Sequence, residues 1–405
     1  MRAYFALLAN LSDTECLIVT YLFITRKNVH ARYYKKLCPQ LSVATKIHIM
    51  GRPLLGAVKF LNVGFSFDFS GVINGQIRRK QSRNKLLWSQ PLVIFLYRHF
   101  LSIVESLRLA KYLYLFEQEK PAAIALWNGK KLPNQTVVEA AKLSHINVYY
   151  FENGLLPNTT SLDPQGVNYT ASIPRTAKLL DEVRQCSKCF LVPPIVPRQA
   201  HKNRKQGKEN QLPPRFIFVP FQVPHDTQIS THSPWIRDME HLFYEVMAAV
   251  DTLNDQSLHV VFKEHPSWHK HFEHLYSCHR QACFANDNNT AELIKKSHAV
   301  ITINSTVGFE AMLLNKPVIT LGEACFNIEG LVLNTMNNVQ LVDALKSITY
   351  WRPNKEIMQN FFKYLEKIYA IPGSWKEPDE KHVAAIEARL TKTDDLAKYG
   401  QIFDH

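Results

Sequence analysis

Nowhere in its 405 residues does this sequence hold the roughly 20 consecutive apolar residues that a membrane-spanning helix needs. The longest apolar stretches, Cys16–Thr25 and Pro91–Val104, are too short or are broken by Arg98 and His99. The chain is therefore expected not to be integral to a membrane. Met1–Leu11 is mildly apolar, but it carries an Arg, lacks a small-residue cleavage site and is followed at once by Asp13 and Glu15. No signal peptide is read, and a cytoplasmic location is expected. A disulfide framework is missing too: the seven cysteines are an odd number at irregular spacing, in a chain long enough to need no staples, which points to a reducing compartment. Cys186 and Cys189 form a lone CxxC without a second pair, and the stretch holding His269, His271, His274 and His279 makes no stronger a case. No metal is assigned. There is no internal repeat and no low-complexity tract.

Acidic residues are scarce relative to basic ones, 35 against 48, which leaves a formal net charge of +13. Such a balance favours an anionic partner: nucleic acid, an acidic glycan, a nucleotide sugar or an anionic bilayer. The cations cluster at Arg78, Arg79, Lys80, Arg83 and Lys85, and again at Lys202, Arg204, Lys205 and Lys208, where a solvated face or loop is the plainer reading. No nucleic-acid motif is recognised and the basic residues are not interleaved with stacking aromatics, so no nucleic-acid partner is expected. An anionic membrane face suits the basic patches better, through peripheral attachment.

With 46% hydrophobic and 20% charged residues the chain is expected to fold, and its length favours two cores with a cleft between them. The segment Val192–Pro214 turns to proline and lysine without apolar periodicity, as an exposed connection does. It divides the chain into a first domain over 1–200, a linker over 201–214 and a second domain over 215–350. Helices over 351–405 are expected to cross back onto the first domain.

Before the boundary, Ala122–Trp127 reads as a strand, Gln135–Ser144 as a helix and Val148–Phe151 as the next strand. After it come the strands Arg215–Pro220, His259–Lys263, Ala299–Ile303 and Pro317–Leu321, separated by the helical stretches Ser233–Thr252, Thr290–Ser297 and Val307–Leu314. Strands alternating with helices predict parallel sheets covered on both faces. The fold class is α/β: two Rossmann-like domains whose sheets face a cleft, the architecture called GT-B, with C-terminal helices over Pro353–Leu396.

In open parallel sheets, ligands bind beyond the carboxyl ends of the strands, so polar residues just after apolar runs are the candidates for chemistry. Glu152, Asn153 and Gly154 follow Val148–Phe151, where a ligand contact and a turn or cap are both open. Gln222, His225 and Asp226 follow Arg215–Pro220 and would face the cleft, although Asp226 is equally placed to cap a helix. Lys263 and His265 offer donors to a departing phosphate, and Pro266 fixes the backbone just beyond. Asn304, Ser305 and Thr306 stand where the strand Ala299–Ile303 gives way to a helix, an N-terminus that attracts an anion, with Glu310 about one turn further in.

Together, FENGLLPNTTSLDPQGVN (Phe151–Asn168), PFQVPHDTQI (Pro220–Ile229), KEHP (Lys263–Pro266) and INSTVGFEAMLLNKPVITLG (Ile303–Gly322) resemble the capsule polysaccharide biosynthesis proteins, which include the retaining β-Kdo transferases. The likeness covers about the middle half of the chain. It implies a GT-B enzyme that takes Kdo from CMP-β-Kdo to a glycan or glycolipid acceptor with retention, without a cofactor or metal. The HP dipeptide and the Ser/Thr pair are also similar to CMP-binding elements of bacterial sialyltransferases. On this resemblance Asp226 matches the proposed nucleophile, Glu152 a catalytic carboxylate and His265 the CMP-phosphate contact. Asn304, Ser305 and Thr306 match the rest of the phosphate site, with Glu310 near the nucleoside. Lys263, Pro266 and Gly322 are included on the donor side; Asn153, Gly154, Gln222 and His225 are sugar or acceptor contacts. Glu152 acts either as general base or as a residue that positions a sugar hydroxyl. The alternatives are a CDP-polyol phosphotransferase of the teichoic-acid-polymerase type, and a non-catalytic capsule assembly or export component.

Overall fold

A computed structural model describes residues 20–51, 58–177, 207–224, 226–268 and 271–400. Expectations placed on Met1–Leu11, Cys186, Cys189, Lys202, Arg204, Lys205, His225 and His269 lie outside the described residues.

The first sheet is built from β1 (Thr20–Thr25), β2 (Ala44–Ile49), β3 (Ala123–Trp127), β4 (Asn147–Asn153) and β5 (Thr159–Asp163). The second holds β6 (Phe216–Pro220), β7 (His259–Lys263), β8 (Ala282–Phe284), β9 (Ala299–Thr302), β10 (Val318–Thr320) and β11 (Leu333–Asn334). A late strand, β12 (Ile371–Pro372), returns to the first sheet, giving six strands in each: β12-β5-β4-β3-β1-β2 and β11-β10-β9-β6-β7-β8. Among the described residues every pairing in the second sheet is parallel. Its strand order is that of the Rossmann fold, which reverses direction between β6 and β9. In the first sheet the reversal falls between β1 and β3, and β5 runs antiparallel to both β4 and β12.

The central strands β3, β6 and β9 are buried at every residue, as their unbroken apolar sequences require of strands covered on both faces. One face of the second sheet packs against Met239–Leu253 and Asn338–Ser347, through Leu242, Val246 and Leu341; the other packs against Thr306–Leu313 and Lys355–Tyr364, through Phe309 and Phe361. Helix starts differ from the sequence expectation where caps decide them. The stretch read as a helix from Ser233 begins only at Met239, because Pro234 disfavours helical backbone at Ser233 and the Asp238 carboxylate accepts from the His241 amide at 2.8 Å.

The segment expected to be helical over Pro353–Leu396 is interrupted. Lys355–Tyr364 covers the second sheet, then β12 pairs antiparallel with β5, Ile371 opposite Thr160. The following helix, Glu380–Leu390, covers the first sheet, where Ile386 and Leu390 join Phe23, Phe151 and Trp375 in one apolar cluster. This return places Trp375 and Lys376 beside strand ends of the first domain.

Candidate active site

A cavity of about 760 Å³ lies where strand ends of the two sheets converge, within the size range of small-molecule sites. Glu152, Asn153 and Gly154 line it from the first sheet; Gln222, Asp226, His265, Asn304, Ser305, Thr306 and Glu310 line it from the second. Residues separated by more than 150 positions in the sequence thus share one space.

On the first-sheet wall, β4 pairs with β3 up to Phe151 opposite Trp127. Strand alternation buries the Phe151 ring completely and turns Glu152 to the other face. Just past β3, Asn128 adopts a left-handed backbone (φ 65°), a conformation asparagine tolerates. There its amide N–H donates to the Phe151 carbonyl at 2.9 Å and its side chain donates to Glu152 Oε2 at 2.6 Å. Glu152 Oε1 accepts from the Asn153 amide at 3.0 Å, so both carboxylate oxygens are aimed by neighbours. Asn153 in turn accepts from the Trp375 indole at 2.9 Å. Gly154 is demanded by close approach, since a Cβ there would lie 1.9 Å from the Thr159 hydroxyl. Behind the wall, the buried His30 ring stacks on Trp127 at 4.2 Å; burial, aided by Lys27, lowers its pKa to about 4.

On the second-sheet wall, Asp226 caps the helix Thr227–His232, its Oδ1 accepting from the Gln228 amide at 3.2 Å, and also lines the cavity. The two readings left open by the sequence therefore coexist. Asn304, only 3% exposed, holds that helix in place: its amide donates to the carbonyls of Gln228 and His232, each at 3.0 Å. Its Oδ1 accepts from the Gln222 side chain at 2.9 Å, and Gln222 Oε1 accepts the Asn304 backbone N–H at 3.3 Å. Asn304 and Gln222 thus act as a bracket between β6 and β9, at the point where the strand order reverses. Ser305 caps Thr306–Leu313, its hydroxyl accepting from the Val307 amide at 3.2 Å, and the start of that helix opens on the cavity.

The KEHP segment divides its work. Lys263 does not line the cavity; its ammonium donates to the backbone carbonyls of Asn286 and Asn288. Glu264, 1% exposed, accepts from the Phe272 amide at 2.7 Å and the Tyr276 hydroxyl at 3.1 Å, anchoring the loop behind. His265 alone of the four reaches the cavity. Pro266 occupies the second position of a turn closed by the Trp268 amide on the His265 carbonyl at 2.9 Å. That turn brings the Ser267 amide to His265 Nδ1 at 3.2 Å. A backbone N–H can only donate, so Nδ1 accepts and the neutral ring carries its proton on Nε2.

Gly322 is likewise off the cavity: a Cβ there would lie 2.7 Å from the His232 carbonyl oxygen, so it permits close packing. Sequence reasoning passed over Asn128, Lys131, Gln228, Ser267, Trp375 and Lys376. The Asn-Gly pair at 128–129 was a readable turn signal after an apolar strand. Gln228 also lines the cavity, and its side-chain oxygen is buried without a hydrogen-bond partner. Nothing local marked Trp375 or Lys376. The histidines His271, His274 and His279 pair separately with Glu264, Glu240 and Asp251, and among the described residues no metal-binding group of His, Cys, Asp and Glu side chains forms.

Comparison with known proteins joins this geometry to a family. The chain is 33% identical over 317 residues to Protein FixF of Sinorhizobium fredii, across 77% of this chain and 76% of that protein. It is 31% identical over 131 residues to the capsule polysaccharide export protein KpsS of Escherichia coli, across 30% of this chain and 33% of that protein. Among solved structures, KpsC of Thermosulfurimonas dismutans, a β-Kdo 2,7 transferase, is similar with a TM-score of 0.46 and 14% identity, over 92% of this chain and 99% of that one. Residues 195–374 match the family model described as capsule polysaccharide biosynthesis protein, a span that contains Asp226, His265, Asn304 and Glu310. On the extended identity to FixF and this match, the chain belongs to the capsule polysaccharide biosynthesis protein family.

Proposed function

We propose that this protein is a glycosyltransferase that moves Kdo from CMP-β-Kdo to a glycan or glycolipid acceptor with retention of the β configuration. The observation that carries the reading is that Glu152 and Asp226, supplied by different sheets, line one cavity together with His265 and the Ser305 helix start. A retaining transfer by double displacement needs a carboxylate nucleophile and a second group to accept the acceptor's proton.

In the first step an Asp226 oxygen attacks the anomeric carbon, the bond from that carbon to the phosphate oxygen breaks, and CMP leaves with the electron pair. Charge gathers on the departing phosphate. His265 Nε2–H, the Ser305 O–H and the positive end of the dipole of Thr306–Leu313 meet it, each well-placed donor contributing about 3 kcal/mol. In the second step the acceptor hydroxyl attacks the same carbon, its proton passes to Glu152, and the bond to Asp226 breaks. The Asn128 amide, fixed on Glu152 Oε2, sets the direction from which that proton is received. Glu310, on the same helix and lining the same cavity, is the residue assigned to the nucleoside in this reading.

The test is to incubate the purified chain with CMP-Kdo, CMP-sialic acid or CDP-glycerol, each with a glycan acceptor, and to measure release of nucleotide. Consumption of CMP-Kdo with formation of a β-linked product is expected. Consumption of CDP-glycerol instead would assign a polyol-phosphate transferase, and turnover of none of the three would point to an assembly or export role.

A further inference from the structure

The long helix Pro91–Glu119 changes character along its length. Its second half is buried through Glu105, Leu109, Tyr112, Leu113 and Phe116, while its first half shows solvent Leu92 (68% exposed), Phe95 (55%), Leu96 (58%), Phe100 (61%) and Ile103 (52%). At 3.6 residues per turn these positions, with His99, form one stripe about 16 Å long. Leu86, on the preceding short helix Lys85–Trp88, is 82% exposed as well. A contiguous apolar stripe of this kind on a folded protein marks a contact surface.

The charge around it identifies the contact. Between Asp68 and Glu105 there is no acidic residue, while Arg78, Arg79, Lys80, Arg83, Lys85 and Arg98 all fall there. Lys80 lies 5.1 Å from the centroid of Trp88 and 5.8 Å from that of Tyr97, so cation and aromatic rings share one face of this region. Apolar side chains interleaved with cations and free of acidic groups suit the headgroup region of an anionic bilayer, where apolar groups are buried and cations meet lipid phosphates. A second copy of this chain is the poorer occupant. A two-fold interface sets a surface against itself, and this one would oppose like charges.

We infer that the Lys85–Ile103 surface docks the protein on an anionic membrane face. Among the described residues no helix is long and apolar enough to cross a membrane, so attachment here is at the surface. The helix Ser70–Arg83, which carries four of the cations, also packs beside Thr227–His232, the helix that Asp226 caps. Docking by this surface therefore brings the catalytic cleft close to the lipid, within reach of a lipid-linked acceptor. The surface argument itself is independent of which sugar is transferred.

The experiment is flotation of the purified chain with vesicles of phosphatidylglycerol and phosphatidylethanolamine, and with vesicles of phosphatidylcholine alone. Binding to the anionic vesicles, weakened by added salt, is expected. The double variant Phe95→Ser/Phe100→Ser should lower the partition coefficient about tenfold or more. Arg78→Glu/Lys85→Glu should lower it by a similar factor on anionic vesicles only. Circular dichroism and the thermal midpoint of both variants should match the parent, because the substituted side chains are exposed. Absence of binding at physiological salt, or unchanged binding by the Phe95/Phe100 variant, would overturn the inference. So would a parent dimer that this variant splits, by light scattering, while vesicle binding persists.

Discussion

The second sheet is parallel throughout, and the residues at its strand ends lock one another: Gln222 after β6, Asn304 after β9 and the carbonyls of Gln228 and His232 form a closed bracket. The first sheet is mixed, and its cavity wall is held from afar. Asn153 is joined to Trp375, 222 residues later, and the layer covering Phe151 includes Ile386 and Leu390 from the C-terminal helix. The contrast separates a self-contained wall from one completed only when the C-terminal segment docks. It also separates two carboxylates. Asp226 is set by a local cap, whereas Glu152 is set by a turn on the neighbouring strand.

Four experiments would break or sharpen that comparison. The largest effect is expected from Asp226→Asn, which removes the proposed nucleophile and retains a capping oxygen: kcat/KM should fall by roughly three orders of magnitude or more while CMP binding, measured by calorimetry, persists. Normal turnover by this variant would leave the second wall with binding alone. Next is Phe151→Ala, which opens the core under the first wall; a loss of about 3–5 kcal/mol in urea unfolding is expected at this fully buried ring. Asn304→Ala should cost about 1–3 kcal/mol, because it removes the acceptor of the Gln222 side-chain amide and one donor each from the Gln228 and His232 carbonyls, and should raise the donor KM. Asn128→Ala, its counterpart on the first wall, should lower kcat about tenfold with the donor KM unchanged, a split that a shared bracket would not produce.

The smallest effect is a pH dependence from buried histidines in the first domain and in the C-terminal helix Glu380–Leu390 that covers its sheet. Burial lowers the folded-state pKa of His30 to about 4, below its ordinary 6.5, so between those values the unfolded chain binds a proton that the folded chain does not. Its contribution to stability is complete above pH 6.5 and is lost as the pH falls toward about 4. His48 and His382, also lowered chiefly by burial, act in the same direction. The urea midpoint should drop between neutral and mildly acidic solution, and His30→Phe, which keeps a ring against Trp127, should remove part of that drop.

Much of the second domain could be read from residue order because its signals are local. The run Ala299–Ile303 is apolar, short and followed by Asn-Ser-Thr, and it forms β9 and a capped helix start. His265-Pro266 stands at a strand end and makes the turn that such a pair favours. Lys263 illustrates the limit of that reading. A cation beside a histidine at a strand end is the same in sequence whether it meets a ligand or ties down a loop, and only the positions of the Asn286 and Asn288 carbonyls reveal the tie. Asn304 is similar, a polar residue at the expected site whose hydrogen bonds run into the scaffold.

By itself the sequence determined the alternating elements, the division into two sheets and the motifs at strand ends, because apolar periodicity, capping and turn preferences act over a few residues. Tertiary structure alone decided that Glu152 and Asp226 share a cavity, that Trp375 and Lys376 come back to it, and that the first half of Pro91–Glu119 stays uncovered. Those outcomes depend on which distant surfaces bury one another, and pairing between remote segments leaves no pattern within either segment.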